Sequence, residues 1–561
     1  MNFFLSRETG ADRSRSPFPR AILRRAVDNG ILATALPWAL WAAIGVGGAL
    51  GAVALVRSRG AALAVRAGLR AALSTDGEGA LSPRDAFLVS ASMSALPVVV
   101  GTATAIAVGG PGAVLWLWIG AVLLAGLRWL DVGFVARHQG APKAFAATIG
   151  KRFPSLSFLY AFVGLLAAAL AGSALAGLTV AGAAADAGMP ARWVALALGA
   201  VGLAVGLLGA ARVIAVARMA SAIGLAIVVV AALAAIVGHP ARLGSAIGRV
   251  FSEGLSGSAP SGGFIGAFLV EAVRSGLGLG LAPTAAAFGP AATVQSEASH
   301  ADAASASRAG AVEPLLSVLL VSILVALPIL TSRAWNTPGP TSIPLREAIA
   351  LTHTAASPAE ADDPERRFSL VTRWREGETL DRIEFLGGRG MLQEVTMTDR
   401  GRPLDAAFTF DDGHVVKLQM PRKTAPGRRR VGTHLEEVPL ARVDDIVLHG
   451  TGLRRGASLV AAAFEDGLPR GWGGPVTLAA TLLLALSALC GWTMYARRAA
   501  SEVAEPGAAR MLAGAAGAAA GLAAVPNLPW LLPTAAVLVA VLALLHGLAL
   551  AADLTGRAPG G

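Results

Sequence analysis

Charge is scarce in this sequence. Of 561 residues only 15% are charged while 54% are hydrophobic, and the mean hydropathy is +0.61. A water-soluble chain of that length needs more ionic surface, so a fully soluble fold is excluded and lipid is indicated. Cysteine is almost absent. Cys490 stands alone inside an apolar run, which excludes an intrachain disulfide and a thiolate metal cluster, and it reads as a small membrane-core residue. Aromatic residues amount to 6%, with two tyrosines in all, whereas glycine numbers 67. Helices that pack through small residues have this composition, because lipid supplies no hydrophobic drive for helix association.

The motifs of enzymes are missing too. No HExxH string occurs, and no intramembrane Ser/His or Asp/Asp pair stands at a useful spacing. Gly109-Gly110-Pro111-Gly112 lacks the Lys-Ser/Thr of a phosphate loop. The sequence therefore predicts no enzyme. A net charge of +11 invites a nucleic-acid partner, but its distribution argues against one. Residues 331–470 hold 20 Lys+Arg against 20 Asp+Glu, leaving 27 against 16 in the apolar remainder. Basic residues flanking membrane spans are what topology requires, so lipid is the partner and no nucleic acid is implied.

What is present is a series of long apolar runs. About 20 such residues cross a bilayer as helix. By that rule eleven spans are predicted, near 31–56, 86–108, 111–130, 157–184, 192–210, 214–238, 262–283, 310–331, 473–495, 508–525 and 528–552. The first run is too long for a cleavable signal core. Loops after odd-numbered spans, with the C-terminal tail, hold 17 basic residues, against three (Arg192, Arg242, Arg249) on the other side. This puts the C-terminus in the cytoplasm and the N-terminus outside, although six arginines between Arg7 and Arg25 would favour the opposite for the tail. The predicted organisation is a tail at 1–30, a first membrane part at 31–331, an extracytoplasmic insert at 332–456, a second membrane part at 457–552 and a tail at 553–561.

Within the insert, Thr337 to Pro364 reads as a linker. Short β-type runs follow at Phe368–Trp374, Arg382–Leu386, Met391–Thr398, Ala406–Phe410 and His414–Met420, separated by glycine-rich turns, with a closing strand near Asp445–His449. A small antiparallel meander is expected. His353, His414, His434 and His449 lie here, but their spacing matches no ligand template, so no metal site is predicted.

Four stretches in order resemble the alanine/glycine:cation symporter family, the sodium:alanine symporters. Gly101 to Trp118, GTATAIAVGGPGAVLWLW, resembles that family's Gly-Gly-Pro-Gly-Ala turn and the Trp-x-Trp that opens the next span. Arg128 and Asp131 resemble its basic and acidic pair at the end of that span. Gly278 to Pro283 is similar to its central Gly-Leu-Gly-Ser-Ala-Pro. Gly456 to Tyr495, ending Gly-Trp-x-x-Tyr, and Val525-Pro526-Asn527-Leu528 are the other two. The resemblance implies an all-α polytopic fold of the leucine-transporter type, with inverted five-helix repeats behind one extra span. It also implies sodium-coupled symport of small neutral amino acids such as alanine or glycine in the cytoplasmic membrane.

Such carriers hold substrate and ion where two helices are interrupted at mid-membrane. Two breaks are predicted here: Pro97, with Gly101 four residues on, and the run Gly276-x-Gly278-x-Gly280 ahead of Pro283. The expected substrate and ion residues are Pro97, Gly101, Thr102, Thr104, Arg274, Gly276, Gly278 and Ser487, with sodium near Gly101 and Ser487. Departures from the family fall on polar positions. Val98 replaces an asparagine, Ser487-Ala488 is one hydroxyl short of a Ser-Thr pair, and Ser317 stands at an acidic position. Each lost oxygen makes dehydration of a cation harder to offset. Glu271 and Arg274 share a helix face in the seventh run, and Glu313 in the eighth is a candidate proton relay, so a proton is the alternative coupling ion. The alternative function is a transport-defective membrane sensor or scaffold acting through the insert.

Overall fold

The computed structural model describes residues 45–74, 81–256 without 209, 286–344 without 287, 299 and 301, the strands between 370 and 453, and residues 454, 456–525 and 531–555. In chain order the helices are α1 (Gly45–Arg57), α2 (Val65–Leu73), α3 (Pro83–Gly109), α4 (Ala113–His138), α5 (Ala141–Phe145), α6 (Pro154–Asp186), α7 (Ala191–Leu208), α8 (Ala210–Gly238), α9 (Leu243–Ser256), α10 (Pro290–Ser296) and α11 (Ala303–Ser332). After the strands come α12 (Gly456–Glu465), α13 (Gly473–Ala500), α14 (Pro506–Ala518) and α15 (Leu531–Leu554).

Among the described residues eight helices are long and apolar enough to cross a membrane, which makes this a multi-pass, all-helical membrane body. Of the other three expected spans, the run at 31–56 is described only from Gly45, and that at 262–283 lies outside the described residues. The third, at 508–525, is α-helical only over Pro506–Ala518 and then tightens into a 3-10 turn, Ala519–Ala524. Pro526 accounts for the early end, since the residue before a proline is driven out of the helical region, and Val525 is extended.

Glycines set the helix crossings. α1 meets α4 where Gly51 and Gly126 bring the two backbones together, and α7 interlocks with α14 through Gly202 on Gly517 and Gly206 on Gly514. Polar residues start the long helices. The Ser82 hydroxyl accepts the Asp85 N–H at 3.1 Å ahead of α3, and the Asp302 carboxylate accepts the Ser305 N–H at 2.6 Å ahead of α11. Cys490 is buried in α13, as its apolar setting suggested.

Contacts between helix ends sort them into two sets. Arg57 donates to Leu554 O, Arg137 pairs with Asp553 at 2.6 Å, and Arg498 pairs with Glu297 at 2.5 Å, whose carbonyl accepts Leu81 N–H. At the other set, His239 pairs with Asp466, Arg242 donates to Thr331 O at 3.2 Å, and Gly112 lies against Glu253 and Gly254. The arginine-rich ends after α1, α4 and α13 thus share the first face.

Among the described residues nine strands lie between α11 and α12, and every pairing of these is antiparallel: β1 (Pro338–Pro344), β2 (Leu370–Trp374), β3 (Leu380–Phe385), β4 (Gly390–Asp399), β5 (Arg402–Pro403), β6 (Ala406–Asp411), β7 (His414–Pro421), β8 (Leu435–Val438) and β9 (Ile446–Leu453). They form two sheets rather than one meander, ordered β1-β9-β4-β3 with β5 on β4, and β2-β6-β7-β8. The expected linker begins with a strand instead. β1 pairs with β9 from Pro338↔Leu453 to Pro344↔Val447, so the chain leaves and rejoins the membrane part side by side.

Candidate functional site

The family-like turn Gly109-Gly110-Pro111-Gly112 has a packing role. Gly110 turns the chain at φ 72°, and a Cβ on Gly112 would lie 2.7 Å from the Glu253 and Gly254 backbone. The Trp116 indole N–H then donates to Gly254 O at 3.1 Å, and Trp118 meets Phe251 edge-on. In the other motif, Trp492 fills the space over Gly172 and the Tyr495 hydroxyl lies over Gly164. The hallmark aromatics clasp helices and contact no ligand group.

Pro97 lies half-buried inside α3, which runs unbroken from Pro83 to Gly109. The expected gap is therefore corrected to a single missing hydrogen bond: Pro97 has no N–H, so the Met93 carbonyl loses its partner one turn back. Helix packing on both sides holds the remainder of the ladder. Gly491 of α13 abuts Met93 and Val89, and Arg498 reaches Glu297 beside the start of α3, so α3 and α13 run antiparallel. Ser487, one turn before Gly491, accordingly stands at the level of Met93 to Pro97. The Ser94, Thr102 and Ser487 hydroxyls are buried and have no hydrogen-bond partner among the described residues. Thr104 instead donates to Val100 O at 3.0 Å and faces Gly456 at the start of α12. Gly101 is buried in the same helix. Pro97, Ser94 and Ser487 are thus brought to one level, whereas Arg274, Gly276 and Gly278 lie outside the described residues.

The second polar centre is charged. Arg128 is fully buried and donates Nε–H to Glu313 Oε2 at 3.1 Å and Nη1–H to Ala286 O at 2.7 Å, with Asp131 Oδ2 at 4.0 Å. Glu313 Oε1 accepts the Ser317 hydroxyl at 2.6 Å. Pro314 and the π-helical turn Leu315–Leu320 follow, which swings Ser317 back onto the carboxylate four residues before it. Asp131 Oδ2 accepts Gly289 N–H at 3.2 Å, and Asp131 Oδ1 lies 2.7 Å from His546 Nε2. His546 Nδ1 is 2.7 Å from the Tyr160 hydroxyl, and the Tyr160 ring stacks on Phe145. Close crossings hold α11 on α4 here, with Gly310 against Val132 and Gly133 against Ser307. Charges at such depth persist when paired and hydrogen-bonded, and these are, apart from Arg128 Nη2, which has no partner among the described residues.

Residues 39–359 match the family model of the sodium:alanine symporter family. That is more than half the chain. The protein belongs to the sodium:alanine symporter family. Its membership makes it a membrane protein of sodium and amino-acid symport, in a family of transporters rather than enzymes. No curated protein matches the chain. The family match includes Arg128, Asp131 and Glu313, and it stops before α12, so the Gly456–Tyr495 and Val525–Leu528 resemblances lie beyond it.

Sequence reasoning picks out Arg128 and Asp131 as a pair and Glu313 separately, but misses that the three meet. It also misses His546 and Tyr160. The signal was there: His546 is the one ionisable side chain within a run of over twenty apolar residues, and intramembrane ionisable residues default to functional roles.

Proposed function

We propose that this member of the family is a secondary active carrier that uses a cation gradient, sodium foremost, to bring small neutral amino acids such as alanine or glycine across the cytoplasmic membrane. The observation that carries the reading is the family match over residues 39–359. The unpartnered hydroxyls of Ser94, Thr102 and Ser487 support it. Burying a hydroxyl without a partner costs about 1–3 kcal/mol, and cation or substrate oxygens would relieve that cost. The proposed substrate and ion residues are Pro97, Gly101, Thr102, Thr104, Arg274, Gly276, Gly278 and Ser487. The fold is of the leucine-transporter type with eleven spans. The arginine-rich face is cytoplasmic, and the N-terminus and residues 332–456 are outside, which agrees with the grouping of helix ends by their contacts.

Uptake of labelled alanine and glycine into proteoliposomes, with an imposed sodium gradient, a proton gradient or neither, tests this directly. Gradient-dependent accumulation is expected. Accumulation of no small amino acid under either gradient ends the proposal.

A further inference from the structure

The geometry points to a proton-binding site at His546, held between Asp131 and Tyr160, whose single proton balances the buried charge and locks the turn Ala286–Gly289. Its consequence for transport rests on the reading above; its test does not.

Charge balance is the first argument. The cluster contains two carboxylates, Asp131 and Glu313, against one guanidinium, Arg128, and all three side chains are fully buried. With a neutral imidazole its formal charge is −1; with an imidazolium it is zero. A lone uncompensated charge in a water-excluded interior is strongly disfavoured, and such groups take up a proton instead.

The second argument is where that proton is best accommodated. Asp131 already accepts from Gly289 N–H on one oxygen and faces His546 Nε2 on the other. Both imidazole nitrogens have partners, and both protonation states are satisfied without moving the ring. In the neutral ring the Tyr160 O–H donates to Nδ1; in the charged ring Nδ1–H donates to the Tyr160 oxygen, 2.7 Å away. The Tyr160 hydroxyl proton must then turn elsewhere. The hydroxyl of Tyr495, the only other tyrosine in the chain, lies next to it, buried and without a hydrogen bond of its own. The proton comes from water and returns to it; no other bond changes.

The third argument is what the proton holds. Arg128 grips Ala286 O and Asp131 grips Gly289 N, so both charged ends of the cluster clasp one turn. Gly289, at φ 105°, is packed so tightly there that a Cβ would lie 2.7 Å from the Tyr160 hydroxyl and 3.3 Å from the His546 ring. Occupancy of the proton site therefore governs how firmly this turn is held, and in the sequence the turn follows the stretch bearing Arg274, Gly276 and Gly278.

Among the described residues the other charged groups around His546 are these. From α4 it faces Asp131, with Arg128 and Glu313 behind; Phe134 meets His546 edge-on and has the His138 ring tilted against it, and Arg137 pairs with Asp553. α6 contributes Tyr160, and α13 contributes Tyr495 behind it. α5 carries Lys143, which is exposed, and α1 carries Arg57, which caps Leu554 O. None of these supplies the missing positive charge inside the cluster.

Nitrogen NMR of the full chain in nanodiscs, labelled at its histidines, reads the site, with His546 assigned by its loss in H546Q. At neutral pH the wild type is expected to show His546 with both nitrogens protonated. D131N and E313Q each remove one negative charge, so His546 is expected to lose that second proton at the same pH in both. E313Q never touches the imidazole, so its effect separates charge balance from local contact and stands if D131N fails to fold. Amide exchange of residues 288–296, corrected for intrinsic rates, is expected to lose protection on raising pH in the wild type and to be flat in H546Q. A His546 that is singly protonated in the wild type at neutral pH, or equally protonated in wild type and E313Q, overturns the proposal. So does an infrared carboxylic-acid band that vanishes in E313Q, because the proton then sits on Glu313. Failure of uptake alters none of these readouts.

Discussion

The protein's two buried polar regions are opposites. Between α3 and α13, at the level of Pro97, the side chains are uncharged, and the hydroxyls of Ser94, Ser487 and, further along α3, Thr102 have no partner among the described residues. Between α4, α11, α6 and α15, the side chains are ionisable and every carboxylate oxygen of Asp131 and Glu313 has a partner. An unsatisfied neutral group waits for something to complete it; in the ionic cluster the carboxylates are satisfied, and among the described residues Arg128 Nη2 and the neighbouring Tyr495 hydroxyl lack a partner. The first arrangement suits a site that loads and unloads, and the second suits an anchor with a switch in it.

The largest effect separates these at once. R128M removes the guanidinium and leaves two buried carboxylates facing each other, a loss of about 3–5 kcal/mol. Folded, monodisperse protein in a thermal size-exclusion assay is expected to fall sharply, and R128M/E313Q is expected to recover part of it by restoring neutrality. Equal loss in the single and double variants would show that the arginine's shape, and not its charge, holds the helices. Next is G289A, which puts a Cβ at φ 105° against Tyr160 and Ala141. A cost of about 1–3 kcal/mol is expected in the same assay. A neutral G289A would mean that the turn relaxes and clasps nothing.

The two regions differed in how far the sequence revealed them. Apolar length and small residues were enough for the membrane body, because backbone satisfaction in lipid leaves few choices. Where the expectation failed, a local signal was overridden by packing. Pro97 was read as a break, yet α3 absorbs it with one lost hydrogen bond because neighbouring helices hold the ladder around it. Pro338 to Pro344 was read as a linker from its prolines and serines, yet it lies as an edge strand on β9, where missing N–H groups cost little. The charged cluster was harder to see. Its members stand at 128, 131, 160, 313 and 546, and no periodicity links positions so far apart. Arg128 and Asp131 are legible as a pair, while the closure through His546 needs the fold.

On the uncharged side, S487A and T102V remove buried hydroxyls that have no partner among the described residues, so stability is expected to hold or to rise by up to about 1–3 kcal/mol. If Ser487 is a cation ligand, the sodium concentration for half-maximal uptake rises roughly tenfold in S487A, the equivalent of ~1.4 kcal/mol. Unchanged sodium dependence would remove Ser487 from the site. A smaller effect is expected from replacing residues 345–445 by a short glycine-serine turn. Pro344 and Val447 are register partners, so the excision joins neighbours. Retained uptake makes the strands an appendage of the carrier; its loss, with the protein still folded, favours a role for the insert in transport.

The smallest effect lies at the entrance to α11, next to the helix that carries Glu313. The Ser305 N–H donated to Asp302 holds that exposed carboxyl below its ordinary value of 3.8. Two residues earlier, burial pushes the His300 imidazole below 6.5, more than the Asp302 charge pushes it up. Both shifts act in the same direction. Each group binds protons less readily folded than unfolded, so each contributes stability at neutral pH that is lost on acidification. The windows differ: the His300 contribution fades as pH falls below about 6.5, and that of Asp302 only below about 3.8. Melting curves from pH 8 to pH 3 are expected to lose the upper step in H300Q and the lower one in D302A, with little change at neutral pH for H300Q. If the upper step survives in H300Q, the proton taken up there belongs to a group other than His300.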